Sequence, residues 1–253
     1  MNRRVLGFMT LYYGKPFLRE SLLSIVDHVD KMVISYTAKP SHGFSTSEPC
    51  PDTEEELREI CQSVLGGKMR WISAPDGYQS EGYHRDTRYN YANGYDCILT
   101  IDADEIMVGI PEAIEYAMTR PAQYYGIQAY GYVNFWRSFN WHNRDAFAPI
   151  RLENLHNMNG VQDHGCPLTV YHFSTALPEK YMRFKYLVMG HASEIKPNYL
   201  EDIFYKWTPE TVNEVTHLHP TSNDIWHVAQ PFDKTLLPDY LKKHYLFNET
   251  LIK

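Results

Sequence analysis

The first hundred residues alternate between two apolar patterns, and that alternation restricts the fold more than any other feature of the chain. Val5–Thr10, Lys31–Tyr36 ("KMVISY"), Met69–Ala74 ("MRWISA") and Cys97–Asp102 ("CILTID") are apolar runs of strand length. Segments with helical spacing stand between them. Phe17–Asp27 puts Phe17, Leu18, Leu22, Ile25 and Val26 on one face, the repeat of an amphipathic helix. Asp52-Thr53 leads into Glu54, Glu55 and Glu56, acids in a first turn where the helix dipole favours them. That helix should run to about Leu65 and stop at Gly66-Gly67. Gly82 to about Asn93 reads as a third helix, and "TAKPSHGFSTSEPCPD" (37–52) as a loop. Strands and helices in this order predict an α/β fold, a mainly parallel sheet flanked by helices.

Ligands of such sheets collect beyond the carboxyl ends of the strands. One of those ends carries "ILTIDADEIM" (98–107), in which Ile98, Leu99 and Ile101 suit burial while Asp102, Asp104 and Glu105 crowd together. Like charges some 4 Å apart repel by about 1–4 kcal/mol at surface-like dielectrics, so a packed turn alone gives no reason to collect them. A hard divalent cation does. Mg²⁺ or Mn²⁺ prefers oxygen donors and commonly takes one or two carboxylates plus substrate phosphates.

Pro111–Met118 continues the pattern as a helix, and "YYGIQAYGYVNFWRSF" (124–139) alternates like strands. From about residue 141 the chain is less regular, rich in His, Asn, Pro and aromatics, with helical spacing at Glu179–Leu187 and Tyr199–Trp207. Its 253 residues, 43% hydrophobic, suffice for one sizeable core, so 1–140 and 141–253 read as two parts of one continuous domain. The net charge is −7 and no basic cluster exceeds Asn2-Arg3-Arg4, unlike a duplex nucleic-acid binder. No apolar run reaches the length of a membrane span. "MNRRVLGFMTLYYGKPF" lacks the small-residue cleavage site of a signal peptide and reads as the first strand of a cytoplasmic protein. Cys50, Cys61, Cys97 and Cys166 form no CxxC pair, so neither a zinc knuckle nor a disulfide framework is indicated. Twenty tyrosines offer flat faces that stack on sugars and bases, or simply pack.

"ILTIDADEIM", following three strand–helix units, resembles the Asp-x-Asp segment of GT-A glycosyltransferases, particularly family-2-like members that carry "DADE". "SYTAKPSHG…PDT" is similar to a loop with "KPxxG…DxT" in a group of them. "SEGYHRD" (80–86) resembles their "ExxQRN", with His84 for Gln and Asp86 for Asn, and "YHFSTALPEKYMRFK" and "MGHASEI" resemble later segments. The family's aspartate after the second strand has no counterpart in "VISYTAKP".

This resemblance implies a GT-A (Rossmann-like) nucleotide-sugar-binding core over 1–140 and an acceptor-side, partly helical region over 141–253. It implies a metal-dependent glycosyltransferase, hexosyl- or pentosyl-transferring, that takes a sugar from a nucleoside diphosphate sugar, a UDP-sugar first, to an acceptor hydroxyl. The acceptor could be a glycan, a small molecule or a modified DNA base. Asp102 would face ribose and metal, and Asp104 would ligate Mn²⁺ or Mg²⁺. Arg85 would lie near the diphosphate or order the acidic loop. Thr10, Tyr12 and Tyr13 would surround base and ribose, with Lys39 in the donor-binding set. His172 or His191, and after them His219, would complete the metal site. An inverting reaction needs a carboxylate base, for which Asp145 and Asp163 are candidates. Trp136, Arg137 and Trp141 resemble the acceptor-side segment. Two rivals stay open. A nucleotidyltransferase of similar fold would want a Gly-rich, basic loop after the first strand, where "TLYYGKP" has one glycine and one lysine. The aromatics would also suit a non-catalytic carbohydrate-binding protein.

Overall fold

A computed structural model describes residues 3–41, 44–120, 124–144, 149–157, 161–222 and 228–253, with the backbone alone at 124–130, 144, 157 and 161–164. Its strands are β1 (Val5–Leu11), β2 (Lys31–Thr37), β3 (Met69–Ala74), β4 (Cys97–Thr100), β5 (Glu105–Val108), β6 (Tyr124–Trp136), β7 (Trp141–Arg144), β8 (Ile150–Asn154), β9 (Val161–Thr175) and β10 (Gln230–Pro231). The α-helices are α1 (Lys15–Ile25), α2 (Glu54–Leu65), α3 (Glu81–Asp86), α4 (Ile110–Thr119) and α5 (Glu179–Val188). The chain divides into two compact units. The first is Met1–Gly43, Asp52–Tyr132 and Phe147–Tyr171, and the second is Phe44–Pro51, Val133–Ala146 and His172–Lys253.

In the first unit β1 lies between β4 and β2, parallel to both, and β2 is parallel to β3. β8 adds antiparallel to β4, the first part of β6 pairs antiparallel with β8, and β5 pairs with β9. The result is a mixed α/β sheet, parallel at its centre. β2 is buried from Met32 to Thr37, as befits a strand covered on both faces. Leu18, Leu22 and Ile25 of α1 and Leu57, Cys61 and Leu65 of α2 stand at helical spacing and pack with Met9, Ile34 and Leu99 in one cluster. Full burial contributes about 1.5–3 kcal/mol for each such large aliphatic side chain.

The helix ends follow the sequence signals. Thr53 Oγ1 accepts from the Glu56 N–H at 3.2 Å, and the Thr53 N–H donates back to Glu56 Oε2 at 3.0 Å, a capping box that fixes the start of α2. Gly66 ends it with φ +52°. The start of α1 is capped from a distance. Gly14 has no side chain to offer, and buried Asp52 accepts from the N–H groups of Gly14 (2.8 Å) and Lys15 (3.0 Å).

Two expected helices differ. α3 stops at Asp86 and continues as a 3-10 turn over Thr87–Tyr91. Thr87 Oγ1 bonds back to the His84 carbonyl at 2.7 Å, and Arg88 and Tyr89 turn toward Glu153. In the second unit, Tyr199–Trp207 holds only a wide π-turn, Leu200–Phe204. Arg137, buried with φ +54°, donates through Nη1 to the carbonyls of Phe204, Tyr205 and Trp207, which satisfies oxygens at the end of this turn that have no intrahelical partner. The end of β6 pairs there with β7, Asn134 opposite Asn143, and β7 pairs with β10. Phe135 stacks on Phe173 at 4.4 Å in an aromatic core with Phe139 and Phe247. Among the described residues no helix is long and apolar enough to cross a membrane.

Candidate active site

The acidic turn sits where β4 leaves the sheet. The Ile101 N–H still donates to the Phe8 carbonyl at 3.0 Å, and the chain then departs. Ser21 of α1 donates to the Asp102 carbonyl at 2.9 Å. Ala103 packs so closely on Gly14 that a Cβ built there would lie 2.6 Å from the Ala103 Cβ, and Gly14 has φ +148°. A glycine at 14 and a small residue at 103 therefore set the height of the turn. Two reciprocal bonds close it, Glu105 N–H to the Asp102 carbonyl and Asp102 N–H to Glu105 Oε2, each 3.1 Å.

The three acids have different surroundings. Glu105 is 0% exposed. Its Oε1 accepts from the Tyr132 hydroxyl at 2.7 Å and from Arg151, whose side chain is 4% exposed. Asp102 accepts from Arg85 through both oxygens, at 3.0 and 3.3 Å, and from Arg151 at 2.8 Å. Arg85 is steadied in turn by Glu81 at 2.9 Å. Asp104 is half-buried. The Asp102 charge, reinforced by hydrogen bonding and opposed by burial, holds the Arg85 guanidinium above its usual range. Burial alone would lower Arg151, but Asp102 and Glu105 outweigh it and raise it well above the usual value. Burial, and then the Glu105 charge, push the Tyr132 hydroxyl well up, so it remains a donor.

Three carboxylates (Glu81, Asp102 and Glu105) pair with two guanidiniums here, which leaves that network one negative charge in excess, and half-buried Asp104 lies in the same turn. Its donors are all oxygens, and two of the acids are partly exposed. That set fits a hard divalent cation held by one or two carboxylates, with phosphates and water completing the shell. A cavity of about 550 Å³ lies alongside, lined by Arg85, Arg88, Arg151, Thr100 and Glu153 among others. The buried Nε of Arg151 has no partner among the described residues.

The remaining donor-side candidates are in the same unit. Thr10 is in β1, whose carboxyl end neighbours that of β4. Tyr12 and Tyr13 follow it, half-buried and edge-to-face at 5.7 Å. Lys39 is largely exposed and pairs with Asp76 at 3.5 Å. His84, in the place of the resemblance's Gln, is a buried clamp. Its Nε2 donates to the Ser35 carbonyl at 3.0 Å and its Nδ1 meets Ser41 Oγ at 2.9 Å, tying the loop after β2 to α3.

The histidine candidates belong to the second unit. His172 Nδ1 meets Asn134 Oδ1 at 2.5 Å, a pairing that puts the proton of a neutral ring on Nδ1 and the lone pair on Nε2. His191 is exposed beside Glu194 at 3.1 Å. His219 Nδ1 accepts from the N–H groups of Thr221 and Ser222, so its Nε2 carries the proton. Among the described residues no three His, Cys, Asp or Glu side chains gather closely enough to form a metal-ligand group. Asp145 lies outside the described residues, as does the side chain of Asp163. Trp136 and Arg137, expected on the acceptor side, are buried. Trp136 is enclosed by Phe204 and Trp207, so neither of its faces is open to a sugar, whereas Trp141 is half-buried.

Sequence reasoning missed Arg151, Tyr132, Gly14 and the inward role of Glu105. One signal was present. "IRLEN" places Arg151 and Glu153 two residues apart in a strand, hence on one face, and two opposite charges on one strand face announce buried partners.

No protein-family model matches the chain, and no curated protein matches it. Solved structures do. S. aureus TarS, residues 1–349, is 13% identical over 60% of this chain and 47% of that one, with a TM-score of 0.39. Glucosyl-3-phosphoglycerate synthase from Mycobacterium tuberculosis, solved with Mn²⁺, UDP and glucosyl-3-phosphoglycerate, is 14% identical over 53% and 44%, with a TM-score of 0.34. A nucleotidyl transferase from Methanothermobacter is 13% identical over 60% and 71%, with a TM-score of 0.32. The chain spans less than half the length of the first two.

Proposed function

We propose that the protein is a glycosyltransferase that moves a sugar from a nucleoside diphosphate sugar to an acceptor hydroxyl, with Mn²⁺ or Mg²⁺ at Asp102 and Asp104. The observation that carries this reading is the acidic turn itself: two partly exposed carboxylates, one residue apart, at the carboxyl end of a central parallel strand, beside an ion-pair network with one negative charge in excess. A bound cation there supplies electrostatic stabilisation of charge building on the leaving diphosphate. Arg85 and Arg151 fix the orientation of Asp102, while Glu105, itself held by the Tyr132 hydroxyl, fixes Arg151. Thr10, Tyr12, Tyr13 and Lys39 are the side chains for base and ribose, and Asp145 or Asp163 is the candidate base for the acceptor proton. His172 or His191 remains the candidate imidazole.

The nucleotidyltransferase reading is disfavoured by the turn after β1. Its N–H groups at Gly14 and Lys15 already donate to Asp52, and a carboxylate in that position repels a phosphate. The test is donor turnover with a panel of nucleotide-sugars, with and without Mn²⁺. Metal-dependent turnover that falls at least about 100-fold in Asp104→Asn, a loss in the range of a single electrostatic group, supports the assignment. Equal turnover in the variant ends it.

A further inference from the structure

The cavity of about 550 Å³ beside the acidic turn lies within the first unit, and its size is that of a small-molecule site. α3 brings Glu81 and Arg85 to it at i, i+4 spacing, and the 3-10 turn that follows brings Arg88. β8 supplies Arg151 and Glu153 from one strand face. Its antiparallel register with β4, Leu152 opposite Leu99, carries Thr100 next to Arg151.

Every charge in the described lining has a partner. Arg85 pairs with Glu81 and Asp102, Arg88 with Glu153 and Asp86, and Arg151 with Asp102 and Glu105. Three guanidiniums thus meet five carboxylates, so an anion entering the cavity would give up hydration to face an excess of its own sign. An apolar occupant fits no better, because Pro149 and Ile150 are the apolar members of a described lining that is otherwise polar. Both Arg151 ion pairs leave through Nη2, and its Nε–H, on a side chain 4% exposed, has no acceptor among the described residues. The wall therefore offers N–H donors, carboxylate acceptors and one hydroxyl in turn. A ring of hydroxyl groups matches it, since each hydroxyl both donates and accepts. A nucleobase presents a fixed donor–acceptor edge and gains from stacking on an aromatic face, and no described lining residue is aromatic.

We propose that this cavity seats an uncharged pyranose ring, with the Thr100 hydroxyl and the Arg151 guanidinium binding its hydroxyl groups. The sugar class, neutral and not uronic, deepens the glycosyltransferase reading and rests on it for the molecule that carries the ring, donor or acceptor.

The experiment uses the full chain and saturation-transfer NMR, with the methyl glycosides of glucose, galactose and mannose as neutral probes and methyl glucuronide as the anionic arm. At least one neutral glycoside is expected to bind saturably and more tightly than the glucuronide. Thr100→Val keeps the volume and removes the hydroxyl; it should weaken binding roughly two- to tenfold, the worth of one hydrogen bond. Ile150→Trp fills the cavity and should weaken binding at least about tenfold, the loss of one well-packed contact, and both variants should melt with the parent. Displacement of the glycoside by a UDP-hexose, but not by UDP with Mn²⁺, assigns the ring to the donor; simultaneous binding with the UDP-hexose assigns it to the acceptor. The proposal is overturned if no neutral glycoside saturates, if Thr100→Val and Ile150→Trp bind as the parent does, or if the glucuronide binds more tightly. Those results would leave metal-dependent donor turnover standing, whereas loss of that turnover with glycoside binding intact would strike the reaction and not the cavity.

Discussion

Replacing Glu105 by Gln tests whether the acidic turn is built as an ion-pair network. The side chain is fully enclosed and receives three donors: the Tyr132 hydroxyl, the Arg151 guanidinium and the Asp102 N–H. Gln keeps the volume, removes the charge that faces a buried arginine, and turns one acceptor into a donor that must point at another donor. Removing one partner of a buried pair costs about 3–5 kcal/mol. At roughly 2–4 °C per kcal/mol for a chain of this size, the melting temperature should fall by about 6–20 °C. Tyr132→Phe alone removes one hydrogen bond to a charged acceptor, about 1.5–3 kcal/mol. Because both changes act on the same carboxylate, the double variant should lose less than the sum, with a coupling of about 1 kcal/mol or more. Urea unfolding of the four proteins measures this. A Gln variant within about 0.5 kcal/mol of the parent, or strict additivity, would refute the network.

Other consequences can be checked separately. Gly14→Ala places a methyl against Ala103 in a backbone region that L-residues avoid, and strain of that kind costs about 1–3 kcal/mol; Gly14→Ala should lower both stability and metal-dependent donor turnover, whereas Gly67→Ala, which meets nothing, should lower neither. The hydrogen bond from Lys15, then that from the Thr53 backbone, holds the Glu56 carboxyl down at about 2 against an ordinary 4.5. Its contribution is present above pH 4.5 and lost as pH falls toward 2, so the difference in melting temperature between parent and Glu56→Gln should be constant near neutrality and shrink across that window. Thr53→Ala removes half of the capping box and should cost about 1 kcal/mol, read by urea unfolding. Burial pushes the Cys61 and Cys97 thiols up to about 12, and Cys166 is fully buried; Ellman's reagent should therefore titrate one thiol of four quickly in the native protein, and that one should disappear in Cys50→Ser.

Local signals explain what the sequence made legible. The apolar runs gave β1–β4, and the acids after Thr53 marked the start of α2, because both depend on neighbours a few residues apart. The acidic turn was visible for the same reason. Its electrostatic partners were not. Arg151 reaches Asp102 across 49 residues, and Glu105 looks like a third surface acid until β8 and Tyr132 enclose it. The long C-terminal stretch was hard to read because its backbone is organised by side chains distant in sequence such as Arg137, whose guanidinium caps three carbonyls at Phe204, Tyr205 and Trp207.

If Asp102 and Asp104 hold a cation as proposed, the contact between Gly14 and Ala103 bears on how they would meet it. The turn that carries both aspartates is held by steric fit against Gly14, so on that reading the cation would not have to build it. Association then requires little rearrangement of protein, so less of the binding free energy is lost to ordering. A bulkier residue at position 103 would keep both acids and still loosen the grip, by shifting their separation rather than their chemistry.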